Sequence, residues 1–274
     1  MTAALQPLDG ALRARLDEPD WRVVSDGVPD LPTWSRPLPT TRAGDAAEPV
    51  EEPGAVDPAL RAAVGLRASA LVEVEVAAAG GERAVLAVLW ADAHAGAALA
   101  RGVDVVPRGG PDAAVLRPGV EVSAFDVDRL LDEVLRLVPD APVVVPAAEA
   151  VVPEELTIGL AQAIRTGDRS TVEALCAALG VPEPPAVVDA AVRSLSGNLT
   201  LTARSRGRDD VSAGTWLRCD AGWVELVRTG DGMVRHTPRT REGIARRLLS
   251  DLTGRMAAAL RTAGAGTDGE EGDA

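Results

Sequence analysis

The side chains in this chain that could do chemistry are few, and their spacing limits what that chemistry could be. Only two histidines occur, His94 in an Ala/Gly-rich stretch and His236 at the end of an expected strand beside Thr237. Neither has a second His or a Cys at zinc-ligand spacing, so each reads as a surface or hydrogen-bonded structural residue. Cys176 and Cys219 are too far apart in sequence for a redox or metal motif and read as reduced, buried thiols. A serine nucleophile would need a Gly-x-Ser-x-Gly elbow between strand and helix. Asp210-Val211-Ser212-Ala213-Gly214 lacks the first glycine and leads into a strand. Gly264-Ala265-Gly266-Thr267-Asp268-Gly269 matches a dinucleotide fingerprint as text only, because it follows the last helix with no strand before it. Asp209-Asp210 reads as loop, and Asp126-x-Asp128 belongs to an expected helix start, where carboxylates complement the dipole. Asn198-Leu199-Thr200 fits a glycosylation sequon, which a chain with no secretory leader would not use. These readings leave no catalytic set, no metal site and no cofactor, and the expectation is a protein that is not an enzyme.

The elements that must position any functional surface follow from composition and periodicity. The chain has 274 residues, is 46% hydrophobic and carries only 2% aromatic residues, so Ala, Val and Leu must build the core and the five Trp must dominate wherever they sit. Its net charge is −13, with 41 acidic against 28 basic residues, which disfavours nucleic acid and anionic lipid as partners. Met1 to Gly10 shows neither a basic leader region nor an apolar core, and no apolar run approaches a bilayer span. The expected location is the cytoplasm, without membrane insertion.

Five segments are expected. Residues 1–55 hold a short amphipathic helix marked by Leu8, Leu12 and Leu16, then a Pro-rich segment with Trp21 and Trp34 and a linker with Asp45, Glu48, Glu51, Glu52 and Asp57 at its end. Residues 56–140 and 186–262 form two similar α-β-α halves, and residues 263–274 a disordered tail. Ala62-Ala63-Val64 and Ala190-Ala191-Val192 are identical, and each lies on a short helix leading into a strand, Leu71–Val76 and Leu199–Ala203. Second strands follow at Ala84–Trp90 and Thr215–Cys219. The halves close on helices with stripes Val127, Leu130, Leu131, Val134, Leu135, Val138 and Ile244, Leu248, Leu249, Leu252. The first helix is expected to start from a capping box at Ser123–Asp126, with His94 to Pro118 as an insertion before it. Residues 141–185 form a helical hairpin, Glu154–Thr166 ended by Gly167 and Ser170–Leu179 started by Ser170 and Glu173 and stopped by Gly180 and Pro182.

The stretch Thr215–Leu252 is the most informative. Trp216-Leu217-Arg218-Cys219 and Trp223-Val224-Glu225-Leu226-Val227 read as strands around an Asp220-Ala221-Gly222 turn, Asp231-Gly232 turns into a third strand, and Thr237-Pro238 reads as a helix cap. An antiparallel pairing could set Trp216 and Trp223 on one face. Two readings stand: indoles packed in the core under helices, or indoles anchoring a partner on an uncovered sheet face. Arg239, Arg241, Arg246, Arg247 and Arg255 make the last helix basic, as a solvated face, a surface for an acidic partner, or the basic half of intramolecular pairs.

Through Trp216–Val227, Thr237-Pro238-Arg239-Thr240 with the helix after it, Gly54–Leu60 and Leu175–Pro182, the chain resembles the EspG proteins, secretion-associated chaperones of actinobacterial type VII (ESX) systems. The resemblance spans about residues 54 to 260 and rests on order and spacing of features. It implies an α+β fold, a central antiparallel sheet flanked by helices in two quasi-symmetric halves. It also implies a function without chemistry: binding a helical secretion substrate of the PE/PPE or WXG100-like kind and keeping its apolar tip soluble for export, as a monomer or weak homodimer. The N-terminal region departs from the family in being poorer in helix. The other class weighed is a cytoplasmic immunity protein that neutralises a secreted toxin, and the weakest is a degenerate enzyme or ligand-binding domain. Trp216, Arg218, Trp223 and Glu225 are the partner-binding candidates.

Overall fold

A computed structural model of the chain describes residues 6–39, 57–106, 113–206 and 209–265. In chain order the strands are β1 (Gln6–Leu8), β2 (Ala11–Leu16), β3 (Val72–Gly80), β4 (Arg83–Ala91), β5 (Ala95–Val106), β6 (Ala113–Leu116), β7 (Val120–Asp126), β8 (Ala150–Pro153), β9 (Gly197–Ser205), β10 (Val211–Cys219), β11 (Gly222–Arg228) and β12 (Met233–Arg239). The helices are α1 (Glu18–Ser25), α2 (Pro58–Gly65), α3 (Leu130–Arg136), α4 (Glu154–Thr166), α5 (Arg169–Leu179), α6 (Ala186–Arg193) and α7 (Arg241–Ala265). All twelve strands join one antiparallel sheet in the order β1-β2-β7-β5-β4-β3-β9-β10-β11-β12-β8, with β6 paired to β5 off this path. The class is α+β, as expected.

The centre of the sheet is the seam between β3 and β9, paired from Val72↔Ser205 to Gly80↔Gly197. Both strands alternate buried and less buried residues, because a strand's side chains point to opposite faces with a period of two. From this seam the order runs outward as β3-β4-β5-β7 on one side and β9-β10-β11-β12 on the other. Helix α2 leads into β3 as α6 leads into β9, and α3 follows β7 as α7 follows β12. The two Ala-Ala-Val triplets fall on α2 and α6.

Helices cover both faces. Under α3 and α7, Val74, Val76, Leu201, Trp216 and Trp223 pack with Val134, Ile244, Leu248 and Leu252. On the opposite face α1 and α2 bring Trp21, Leu60 and Val64 onto Val88, Trp90 and Leu99. Beyond them on that face α6 sets Val187 and Val188 on Cys219 and Val224, and the α4–α5 pair adds a smaller cluster of Leu160, Ile164 and Cys176.

Several local expectations are corrected. Leu8, Leu12 and Leu16 do not mark a helix: Asp9 and Gly10, at φ 51° and 79°, turn β1 back onto β2, and β2 joins the sheet beside β7. Asp-Gly is a strong hairpin turn because glycine takes the positive φ without penalty. The stretch from His94 to Pro118 holds the long strand β5 and also β6, which lies off the main strand path and has no counterpart in the second half, so the extra length expected there is structured as strand. Ser123 to Asp126 is strand β7 and not a cap, with Ser123 buried opposite Ala98. Thr237 and Pro238 belong to β12, opposite Glu225 and Val224. Proline is tolerated there because β8 pairs β12 only as far as His236, so the outer side of the strand is open at Pro238. Thr240 caps α7 instead, its hydroxyl accepting from the Gly243 N–H at 3.1 Å.

Helix α4 ends at Gly167 in the left-handed conformation, as expected, but Asp168 caps α5, its carboxylate accepting the Thr171 N–H. A carboxylate two residues before Ser170 wins because an aspartate accepts more strongly than a hydroxyl. The acidic linker residues 40–56 lie outside the described residues, as do Gly266–Gly269 of the fingerprint-like run and most of the expected tail.

Candidate partner-binding surface

The register Trp216↔Glu225 and Arg218↔Trp223 brings all four candidate residues to one face of β10 and β11, because directly paired residues of an antiparallel ladder project to the same side. That face lies under α7. Trp216 and Trp223 are 1% and 0% exposed, Glu225 is 1% exposed, and Arg218 is partly buried. Of the two readings of the indoles, the packing follows core burial, and a partner could reach them only by displacing α7. A Cβ at Gly214 would lie 2.2 Å from the Trp216 ring, so the indole lies across a strand position that only glycine leaves open. The Trp223 Nε1–H donates to the Pro139 carbonyl at 3.3 Å.

The arginines expected on the last helix, of which Arg239 proves to end β12, are chiefly used within the molecule. Arg239 Nε donates to Glu225 at 2.9 Å, and Arg247 pairs with the same carboxylate while its guanidinium lies 5.8 Å from the centre of the Trp216 ring. Arg241 donates to the Leu135 carbonyl, and Arg255 contacts Asp251 and the Asp210 carbonyl. Arg247 ties α7 to the sheet through the buried Glu225 carboxylate, Arg239 pairs with it across the neighbouring strand, and the two half-exposed arginines neutralise a charge that would be costly alone.

Among the described residues, the groups able to do chemistry do not assemble into a reactive constellation. His236 is buried in β12 with Nδ1 3.2 Å from the Val234 carbonyl, and burial holds its imidazole below the usual histidine range. His94 sits in the turn between β4 and β5, where the Asp92 carboxylate accepts its backbone N–H. Both cysteines are free and buried, and burial pushes both thiols up, away from the reactive thiolate. The Ser212 hydroxyl donates to Asp251 at 2.5 Å and accepts from Arg255, with no histidine in the chain of contacts. Among the described residues no three His, Cys, Asp or Glu side chains group as a metal site, and no helix is long and apolar enough to cross a membrane.

The surface residues that sequence reasoning missed are Val143, Val144 and Val145, 49%, 66% and 48% exposed. The backbone N–H groups of Val144 and Val145 both donate to the Asp220 carbonyl, and Val143 bridges Ala221, so the run is held rigidly against the β10–β11 turn. It leads into β8, the last strand of the sheet, where Val151 is also exposed. The available signal was three adjacent valines between Pro142 and Pro146, a run too short and too proline-bounded for a buried strand or helix.

No protein-family description and no curated protein matches this chain. Among solved structures the chain is similar to the Mycobacterium tuberculosis type VII secretion system chaperone EspG5, in its complex with a PE25–PPE41 dimer. The TM-score is 0.53 at 12% identity, over 85% of this chain and 93% of that one. At that identity the likeness is one of fold: this chain has an EspG-like architecture.

Proposed function

We propose that this protein is a cytoplasmic, non-enzymatic chaperone of a type VII secretion system, which binds a helical substrate of the PE/PPE or WXG100-like kind and keeps it soluble for export. The observation that carries this reading is the fold, shared over most of both chains with a chaperone solved on a PE–PPE dimer. The burial of His236 and Cys219 in the sheet fits a protein that acts by surface alone. We place the substrate contact on the exposed valines 143–145 and Val151. A helical pair with an apolar tip is the partner that this surface fits, because three adjacent, rigidly held apolar side chains bury area at little entropic cost.

Co-expression tests the chaperone role. Helical pairs encoded beside this chain should aggregate when expressed alone and stay soluble, in a defined complex, when expressed with it. Pairs equally soluble or insoluble with and without this chain would contradict the proposal.

A further inference from the structure

On the face opposite α7, the chain's own segment Ser35–Leu38 lies against α1 and β5 and is held by main-chain hydrogen bonds, with the Ser35 side chain itself wholly buried. The Trp21 indole N–H donates to the Ser35 carbonyl, and Arg101 donates to the Arg36 carbonyl at 3.2 Å. Glu18 accepts the Leu38 N–H at 2.7 Å, and Arg22 donates to the Leu38 carbonyl at 3.3 Å. Arg36 has φ −58° and ψ 146°, the polyproline-II conformation. The sequence Arg36-Pro37-Leu38-Pro39 favours it, because each of Arg36 and Leu38 precedes a proline and is thereby kept out of the helical region. An indole N–H and fixed charges reading the carbonyls and N–H of a polyproline-II segment is a peptide-recognition arrangement, independent of most side chains of the bound strand.

The groove beneath does not need this occupant for its charges to balance. Glu18 also accepts the Gly119 N–H at 2.8 Å and pairs with Arg101 at 3.1 Å, so carboxylate and guanidinium neutralise each other without the segment. Arg101 is 1% exposed, and among the described residues its buried Nε and Nη2 have no hydrogen-bond partner, Nη2 being paired with Glu18 by charge alone. We propose that the groove formed by Trp21, Glu18, Arg22 and Arg101 is a binding site for a proline-bearing extended peptide, filled in this structure by residues 35–38 acting as a displaceable, self-supplied ligand. The segment occludes the site until a partner peptide of the same X-Pro-X-Pro backbone replaces it. This site is independent of the valine surface and of the chaperone reading.

Two measurements test it on the full chain. In hydrogen exchange, the Leu38 and Gly119 amides bond the same carboxylate, so release of the segment with the groove intact makes Leu38 exchange at least 100-fold faster than Gly119. Equal protection at the two amides would mean that the segment is an inseparable part of the core and would overturn the proposal. In fluorescence anisotropy, a labelled peptide spanning residues 31–39 should bind the Leu38→Pro variant, which lacks the N–H that Glu18 accepts, at least 10-fold more tightly than the wild-type chain. The same peptide should lose binding when Arg101 is changed to Met in that background. No binding to a Leu38→Pro protein whose melt matches wild type would overturn the proposal. Should that variant fail to fold, the exchange comparison on the wild-type chain decides alone.

Discussion

Trp223 is, with Trp216, one of the two largest fully buried side chains of the second half. It is wholly buried, its indole N–H reaches the Pro139 carbonyl, and α7 lies over it. Replacing a buried tryptophan with alanine removes its burial and leaves a cavity, at about 3–5 kcal/mol. Trp223→Ala should therefore lower the melting temperature by roughly 10 °C, measured by circular dichroism or calorimetry. An unchanged melt with lost partner binding would instead assign the indole to an interface.

His236 allows a second test at this scale. Its imidazole is held below the ordinary value of about 6.5 by burial. As pH falls below that ordinary value the unfolded chain takes up the proton before the folded chain does. The contribution of His236 is thus fully present above that pH and is lost as pH falls through the folded value. Between pH 7 and pH 5 the wild-type protein should lose more stability than His236→Gln, measured by denaturant titration at each pH. Equal losses would mean that the buried imidazole does not titrate differently in the two states.

At the scale of elements, the parts that were legible in the sequence are those where one signal dominated. The strands β3 and β9 alternate cleanly, Gly222 and Gly232 close turns, and α4 stops at Gly167. The misread elements each carried two competing signals. Leu8, Leu12 and Leu16 repeat at a helical spacing, but the Asp9-Gly10 turn and the partner strand β7 override it. The long β5 was hidden because alanine and glycine make up half of it, and neither shows a hydrophobic period although its middle, residues 96–101, is buried. Ser123 offered a hydroxyl of the right type for a cap, yet pairing with β5 claims its backbone first. At the surface, the two indoles were legible as sharing one sheet face, but sequence could not show that α7 covers them. The exposed valines carry no periodicity and so gave no sign of their exposure.

The start of α7 is where this competition can be measured. Thr240 bonds the Gly243 N–H, whereas Thr237 sits in β12 and donates to Glu149 at 2.8 Å. Thr240→Val should cost about 1 kcal/mol as a lost helix cap. Thr237→Val keeps a β-branched residue in a strand and should cost less. Equilibrium unfolding of the two variants separates the assignments, and the reverse order would return the cap to Thr237.

For the whole molecule, two half-sheets meet at the β3–β9 seam, both faces are closed by helices, and strongly acidic composition keeps the surface soluble. What such a body offers a partner is shape and a few rigid apolar side chains. Val144, 66% exposed with its backbone tied to Asp220, is the side chain whose loss should cost the partner most while costing the fold least. Val144→Asp should weaken substrate binding at least 10-fold, the cost of desolvating a carboxylate at an apolar contact, and leave the melt unchanged. Binding that is unaffected would move the contact surface elsewhere without touching the fold.

The most direct test of the central claim is affinity capture of the tagged chain from its native host, with the retained protein identified by mass spectrometry and the stoichiometry of the complex determined by light scattering. The account predicts a helical secretion substrate of the PE/PPE or WXG100-like kind in a discrete complex, retained by wild type and lost with Val144→Asp. Specific retention of a toxin domain in place of such a substrate, or of no partner at all from cells that make the substrates, would contradict it.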